Sequence, residues 1–311
     1  MSRLGTIARR TLLIGSAAIL GGVAFGTCAY QRPYPDPLKP GDGAKALIPY
    51  VLIDATGVII IAPRAEMGQG VHTTLAAMVA EEMDLDWEQV RVIHGPASHA
   101  CFSAAMLQEA APFPPTDQSW IAETVRGFMQ IPVKFLGIQL TGGSMSTPDA
   151  LDKMRAAGPV ARAALLAAAA RRSGLAEAAL KTEGGAVILP DGTAIPYTDL
   201  AAEAASVNLP DTPPLRDPSQ WKLLGKPLPR TDMVAKCTRT AMFSGDLRLP
   251  GMVFATIRAN LHLYAPTKSF DGAGALKLPG VTDVPEIDNG VAVVAYCTRA
   301  ASKGDETLTI D

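Results

Sequence analysis

Hydrophobic positions first gather in two short runs, Tyr50-Val51-Leu52-Ile53 and Val58-Ile59-Ile60-Ile61, separated by Asp54-Ala55-Thr56-Gly57. Aliphatic runs of this length around a polar turn predict two buried strands joined tightly. Over residues 73–83 the spacing turns helical, through Leu75, Met78, Val79 and Met83, and residues 90–93 alternate as another strand. Residues 98–140 show no period, and Pro112, Pro114 and Pro115 interrupt them, which predicts a loop-rich insertion. A long helix is predicted next: Thr147 stands at the N-cap position, Pro148 at the first helical position, an alanine-rich run follows over 149–172, and Gly174 ends it. Pro159 should kink or split that helix. Residues 186–189 and 193–196 read as a hairpin around Asp191-Gly192, followed by a short helix over 199–207. Beyond residue 220, segments 252–259 and 291–296 are strand-like, with a helical stretch at 269–277 between them.

The rest of the chain punctuates this pattern. Arg9-Arg10 precedes an apolar, glycine-diluted run over 11–30, which predicts a twin-arginine-type signal peptide at 1–30 and a periplasmic, membrane-associated protein. A permanent membrane span and lipidation at Cys28 are the alternatives at this end. Residues 31–46 are a proline- and glycine-rich tether, and 208–219, with Pro210, Pro213, Pro214 and Pro218, a second linker. The organisation expected is therefore α+β, with folded parts at 47–207 and 220–311. At 311 residues, 48% hydrophobic and 19% charged, the chain has enough apolar material for two cores. Its 28 Lys and Arg are offset by 30 Asp and Glu, so no basic field favours nucleic acid. Cys28, Cys101, Cys237 and Cys297 are too widely spaced for a zinc site or an iron-sulfur cluster, so any such cluster is expected on another subunit.

Candidate chemistry concentrates in two glycine loops, each opening a predicted helix. Glu66-Met67-Gly68-Gln69-Gly70 precedes the first helix, and Thr141-Gly142-Gly143-Ser144-Met145-Ser146-Thr147 the long one. Such joins aim free backbone N–H groups and the positive helix end at an anion, while glycine lets that anion approach. Neither loop carries a Walker or dinucleotide fingerprint, and each also reads as an ordinary turn with a helix cap. Gln69 stands out because its amide offers both a donor and an acceptor. His72, His94, His99 and His262 lack ligand spacing, and no metal site is assigned to them. Glu81, Glu82, Asp84 and Asp86 read as a solvated face, and no nucleophile–base constellation can be assembled.

The segment from Pro63 to Thr73, with Glu66-Met67-Gly68-Gln69-Gly70 at its centre, resembles the corresponding stretch of xanthine oxidase-type molybdenum-binding subunits. So do Ala80-Glu81-Glu82-Met83-Asp84-Leu85-Asp86-Trp87 and the Thr141 to Thr147 loop, which are similar to successive blocks of the isoquinoline 1-oxidoreductase beta group. Leu224-Gly225-Lys226-Pro227-Leu228-Pro229-Arg230-Thr231-Asp232 resembles the opening of that family's α/β hammerhead domain. The resemblance implies part of a molybdenum-cofactor-binding domain followed by a hammerhead-like domain. It also implies molybdopterin cytosine dinucleotide held by Gly68, Gln69, Gly70, Gly143, Ser144 and Ser146. The reaction implied is hydroxylation of a small aromatic N-heterocycle or oxidation of an aldehyde. Electrons would leave through 2Fe-2S clusters on an iron-sulfur small subunit, with a cytochrome c as acceptor. Family subunits run well beyond the hammerhead region, so the chain is expected to be a truncated form lacking the general base, with a non-catalytic remnant or a protein that only binds another subunit as the other reading. Arg239 stands where the family pattern leads one to expect glycine.

Overall fold

The computed structural model describes residues 38–41, 43–208, 213–259 and 267–311. The expected signal peptide at 1–30, Cys28, His262 and part of both linkers lie outside these. By its contacts the chain divides into two compact units, Met1–Arg239 and Thr240–Asp311.

In the first unit, β1 (Lys45–Ile48), β2 (Val51–Asp54), β3 (Gly57–Ala62) and β4 (Arg91–His94) form one sheet in that order. β1 takes up residues expected in the tether, because Lys45 and Ala46 pair with Ile53 and Leu52. The β2–β3 hairpin forms as predicted, antiparallel, with Val51 opposite Ile60. β4 pairs with β3 in parallel, so the chain must cross over between them, and it does so through helix α1 (Val71–Glu82). β3 is buried along almost its whole length, as a strand covered on both faces should be. α1 therefore begins beyond the carboxyl end of a buried strand, where open α/β sheets place ligands.

Residues 98–140 are more ordered than expected, with helices α2 (Ala105–Gln108), α3 (Trp120–Met129) and α4 (Ile131–Leu136). Pro112, Pro114 and Pro115 fall between them. α3 is capped by the Ser119 hydroxyl, which accepts from the Ala122 amide at 3.3 Å. Burying only Ala122, α3 offers little inward periodicity to read.

The long helix α5 (Ser146–Ser173) runs unbroken through Pro159 and stops at left-handed Gly174. Its N-cap is Met145, with no side-chain cap, so Thr147 and Pro148 lie inside the first turn. Proline is tolerated there because those amides have no intrahelical acceptor. Gly158 relieves the crowding that a Cβ before proline would cause, and it also sets the crossing of α1 and α5, since a Cβ there would overlap the Glu82 Cβ. Alanines 157, 161, 164 and 168 of α5 join Leu75, Met78 and Val79 of α1, with Val51, Ile53 and Ile60 of the sheet, in one core. A small antiparallel sheet follows, β5 (Lys181–Glu183), β6 (Ala186–Ile188) and β7 (Ala194–Pro196), then helix α6 (Tyr197–Ala204). The β6–β7 hairpin is the predicted one.

The first unit extends to Arg239, past the start expected for a second domain at 220, because residues 213–232 form a strap along α1. At the carboxyl end of α1, Glu81 accepts from the amides of Lys222, Leu223 and Leu224 at 3.0, 2.6 and 3.0 Å. Glu82 accepts from the Arg216 amide at 3.0 Å. Asp84, left-handed at φ 53°, closes the helix and takes both arms of the Arg216 guanidinium at 2.8 and 2.5 Å. Further along, Trp87 donates to the Pro229 carbonyl at 3.0 Å, and the Thr231 amide donates to Thr73 at the amino end of α1. The reading of Glu81, Glu82 and Asp84 as a solvated face is thus corrected: all are buried, and only Asp86 stays exposed. A short helix, α7 (Met233–Cys237), follows the strap, and Arg239 sits at φ 62°, a conformation that favours the glycine of the family pattern.

In the second unit β12 (Gly290–Ala295) is central. β8 (Phe254–Ala259) pairs along one side, and β10 (Val281–Asp283) and β11 (Glu286–Ile287) share the other. Gly290 is required at the β8 crossing, since a Cβ would overlap the Arg258 carbonyl. Helix α9 (Thr298–Glu306) carries the buried Ala301 and Gly304, and a Cβ at Gly304 would come within 2.6 Å of the Val293 side chain. The stretch expected to be helical at 269–277 divides into strand β9 (Phe270–Asp271), paired with β13 (Thr309–Ile310), and one helical turn, α8 (Ala273–Leu276). The core here is small: Ala275, Val284, Val291, Val293 and Leu308.

Candidate cofactor-binding site

The two glycine loops meet. The Thr141 hydroxyl accepts from the Ala65 amide at 2.9 Å, joining the loop before α5 to the loop before α1. Met67, Gln69, Val71 and Thr74 from one side, and Thr141, Gly142, Ser144, Ser146 and Thr147 from the other, line one cleft of about 360 Å³. Gly68 and Gly70 bend the first loop at φ 103° and 82°, and Gly143 and Ser144 bend the second at 58° and 61°. No neighbouring atom comes within 4 Å of a Cβ placed on Gly68 or Gly70, so backbone conformation alone demands glycine there.

Beneath the cleft a buried ion pair fixes the spacing of the loops. Arg64, just before the first loop, pairs with Asp149, in the first turn of α5. Arg64 also donates to the carbonyls of Cys101 and Phe102 at 2.9 and 3.1 Å, and Asp149 accepts from the Ala105 amide at 3.1 Å. Lys153 adds its ammonium to Asp149 at 3.2 Å and to the Phe102 carbonyl at 2.7 Å. Burial and the nearby Arg64 pull this lysine down to about 7, against the attraction of Cys101 and Asp152. Sequence reasoning missed this cluster, although an acid in the first turn of α5 and an arginine just before the first glycine loop were both in view.

The first loop holds a second surprise. Its amides do not point into empty space: the Glu66 carboxylate accepts from Gly68 at 2.7 Å, Gly70 at 3.1 Å and His72 at 3.2 Å. Burial works to raise this carboxyl, but the amides outweigh it and hold it below the usual carboxylate range. Arg230 of the strap ties the arrangement, donating to the Gly68 carbonyl at 2.8 Å and to Glu66 at 3.2 Å while pairing with Asp232. Gln69 folds back on its own loop, accepting from the Met67 amide at 2.6 Å and donating to the Ala65 carbonyl at 2.9 Å. An amide side chain so held keeps one lone pair and one N–H for a ligand. The second loop has no such internal acid. The start of α5 carries no side-chain cap, and the charge of Asp149 is already met by Arg64 and Lys153.

Known proteins share this part of the chain. Residues 14–105 match the family model of the molybdopterin cofactor-binding domain. The beta chain of isoquinoline 1-oxidoreductase from Brevundimonas diminuta is 28% identical over 95% of this chain and 39% of its own length. A nicotinate dehydrogenase subunit from Pseudomonas putida is 27% identical over 79% of this chain and 18% of its own. These matches support a likeness to molybdenum-binding subunits of the xanthine oxidase type. The membrane-bound aldehyde dehydrogenase (pyrroloquinoline-quinone) of Gluconacetobacter polyoxogenes is 27% identical over 98% of this chain and 37% of its own. The chain thus spans well under half the length of these curated relatives. Gly68, Gln69 and Gly70 lie inside the matched cofactor-binding model; Gly143, Ser144 and Ser146 lie beyond it.

The residues present suit a phosphorylated pterin on one wall. Ser144 and Ser146 supply hydroxyls beside an uncapped helix start, and Gln69 supplies an amide edge for a hydrogen-bonding heterocycle. The amides of Gly68 and Gly70, expected to meet the ligand, are taken by Glu66. His72 donates from Nε2 to the Arg64 carbonyl at 2.9 Å, and burial lowers its pKa, so it stays a neutral structural group. Among the described residues no three His, Cys, Asp or Glu side chains gather as a metal site.

Proposed function

We propose that the first unit binds a molybdopterin cofactor, in its cytosine dinucleotide form, along the cleft between the two glycine loops. In this reading the protein is a subunit of an oxidoreductase acting on N-heterocycles or aldehydes. The observation that carries the reading is the convergence of both loops on one cleft, in a chain whose first loop lies within a match to a molybdopterin-binding domain. The bound cofactor would supply the redox chemistry. The chain's own residues would bind and orient it: Ser144, Ser146 and the start of α5 toward its anionic part, and Gln69 toward its hydrogen-bonding edge, with Arg64–Asp149 keeping the walls at a fixed distance. Electrons would pass to an iron-sulfur subunit and on to a cytochrome c. The second unit is taken as the hammerhead-like domain, and the leader as directing twin-arginine export.

The test is to co-express the full chain with a candidate iron-sulfur subunit in cells making molybdenum cofactor, fractionate them, and measure molybdenum and oxidised pterin in the periplasmic protein. Molybdenum and pterin in equal amounts are expected, with retention cut about tenfold in Ser144→Ala/Ser146→Ala, the loss of about two modest hydrogen bonds. Pyrroloquinoline quinone in their place, or no pterin above background, would defeat the reading; a cytoplasmic holoprotein would defeat only the export assignment.

A further inference from the structure

We infer that Glu66 is a positioning residue that fills the first glycine loop with an internal anion, so that an anionic ligand group is received by the second loop alone. The inference rests on the cofactor-binding reading above and gives the ligand a direction within the cleft. Three donors that make a helix start attractive to a phosphate, the amides of Gly68, Gly70 and His72, all end on one side chain. That side chain is anchored from outside the loop by Arg230, which also takes the Gly68 carbonyl, so the carboxylate is held at both ends. A phosphate approaching here would find its donors used and a carboxylate in its place. An uncharged edge meets no such obstacle, and Gln69 is folded to greet one. Across the cleft the situation reverses. The start of α5 has no capping side chain, its neighbouring hydroxyls face the cleft, and the Asp149 carboxylate of its first turn is neutralised from beneath. The same fold therefore carries two helix starts of opposite disposition toward charge.

Pyrophosphate titration of the full chain, followed amide by amide by NMR, tests this. In the parent, the amides of Gly143, Ser144 and Ser146 should move and those of Gly68, Gly70 and His72 should not. In Glu66→Ala the first-loop amides should join the response, with pyrophosphate held about tenfold more tightly at that loop once the like charge is gone. Glu66→Gln, which keeps an acceptor in place and so guards against a collapsed loop, should show the same change in part. First-loop amides that move in the parent as far as in the variants would overturn the inference, as would first-loop amides that stay still in both variants. If the first loop gains its response in the variants while the second loop responds in no protein, Glu66 does fill the cradle, but the assignment of the anion to the second loop falls and the cofactor reading with it.

Discussion

At Arg64 the guanidinium has no water to fall back on. Its side chain and that of Asp149 are each 1% exposed, and carbonyls and an amide satisfy most of what remains, leaving Arg64 Nε without a partner. Removing one partner strands the other charge. Asp149→Ala should cost about 3–5 kcal/mol in urea unfolding, since two cations then face each other without a counter-charge. The double variant Arg64→Met/Asp149→Leu should recover much of that, because an apolar pair of similar bulk leaves only Lys153, which sheds its proton readily. Additive losses in the double variant would show that the two side chains do not act as a unit. Such a pair is invisible in the sequence because its members stand 85 residues apart. Glu66 was visible, yet its role was not: an acid two residues before a glycine reads as part of a motif until Arg230, 164 residues away, is seen to hold it.

Among the elements, the strap over 213–232 is the one whose loss would be felt most widely. Glu81 alone satisfies three consecutive amides, so Glu81→Ala should cost about 2–3 kcal/mol through buried donors left without an acceptor. Hydrogen exchange at Lys222, Leu223 and Leu224 should speed up well before the β3 amides change; uniform acceleration throughout the first unit would mean that the strap is not a separate element. Acid should act in the same direction. Burial raises the Asp84 carboxyl, but Arg216, Thr182 and Lys222 together hold it below its ordinary value. A depressed carboxylate contributes stability that is complete above its unfolded pKa, about 4, and is lost as pH falls through the lower folded value. The strap should therefore loosen below about pH 4, and the Asp84→Asn variant should show a flatter acid limb. Element identities followed the sequence wherever an apolar run or period met a core: β2, β3, α1, α5 and the β6–β7 hairpin all pack apolar residues into it. They were missed where burial is slight, as in α3, or where a neighbour overrides the local pattern, as where the strap turns the acids of α1 inward.

On the scale of the whole molecule, the two units are unequally provisioned. The first packs three helices and a sheet around one large core, whereas the second has, among the described residues, five buried ones in its cluster, with Phe270, Val281 and Ile310 leaning on them. A unit of that size is marginal on its own apolar burial. Amides of β12 should therefore exchange faster than those of β3 under native conditions; the reverse order would show that the second unit draws stability from something other than its core. That the chain folds as two successive units was legible from composition, but the boundary was not, since nothing in Leu224 to Asp232 announces that these residues lie against α1. Surface character brings a practical consequence. α3 presents Trp120 at 80%, Ile121 at 58% and Phe128 at 57% exposure, and α4 adds Leu136 at 68%. Dyes such as ANS report this kind of exposed apolar surface, and their binding is ordinarily taken as the mark of a molten globule. Here the fully folded chain would light up the dye, so a bright signal at neutral pH would be a property of the native state and the baseline from which any loosening has to be measured.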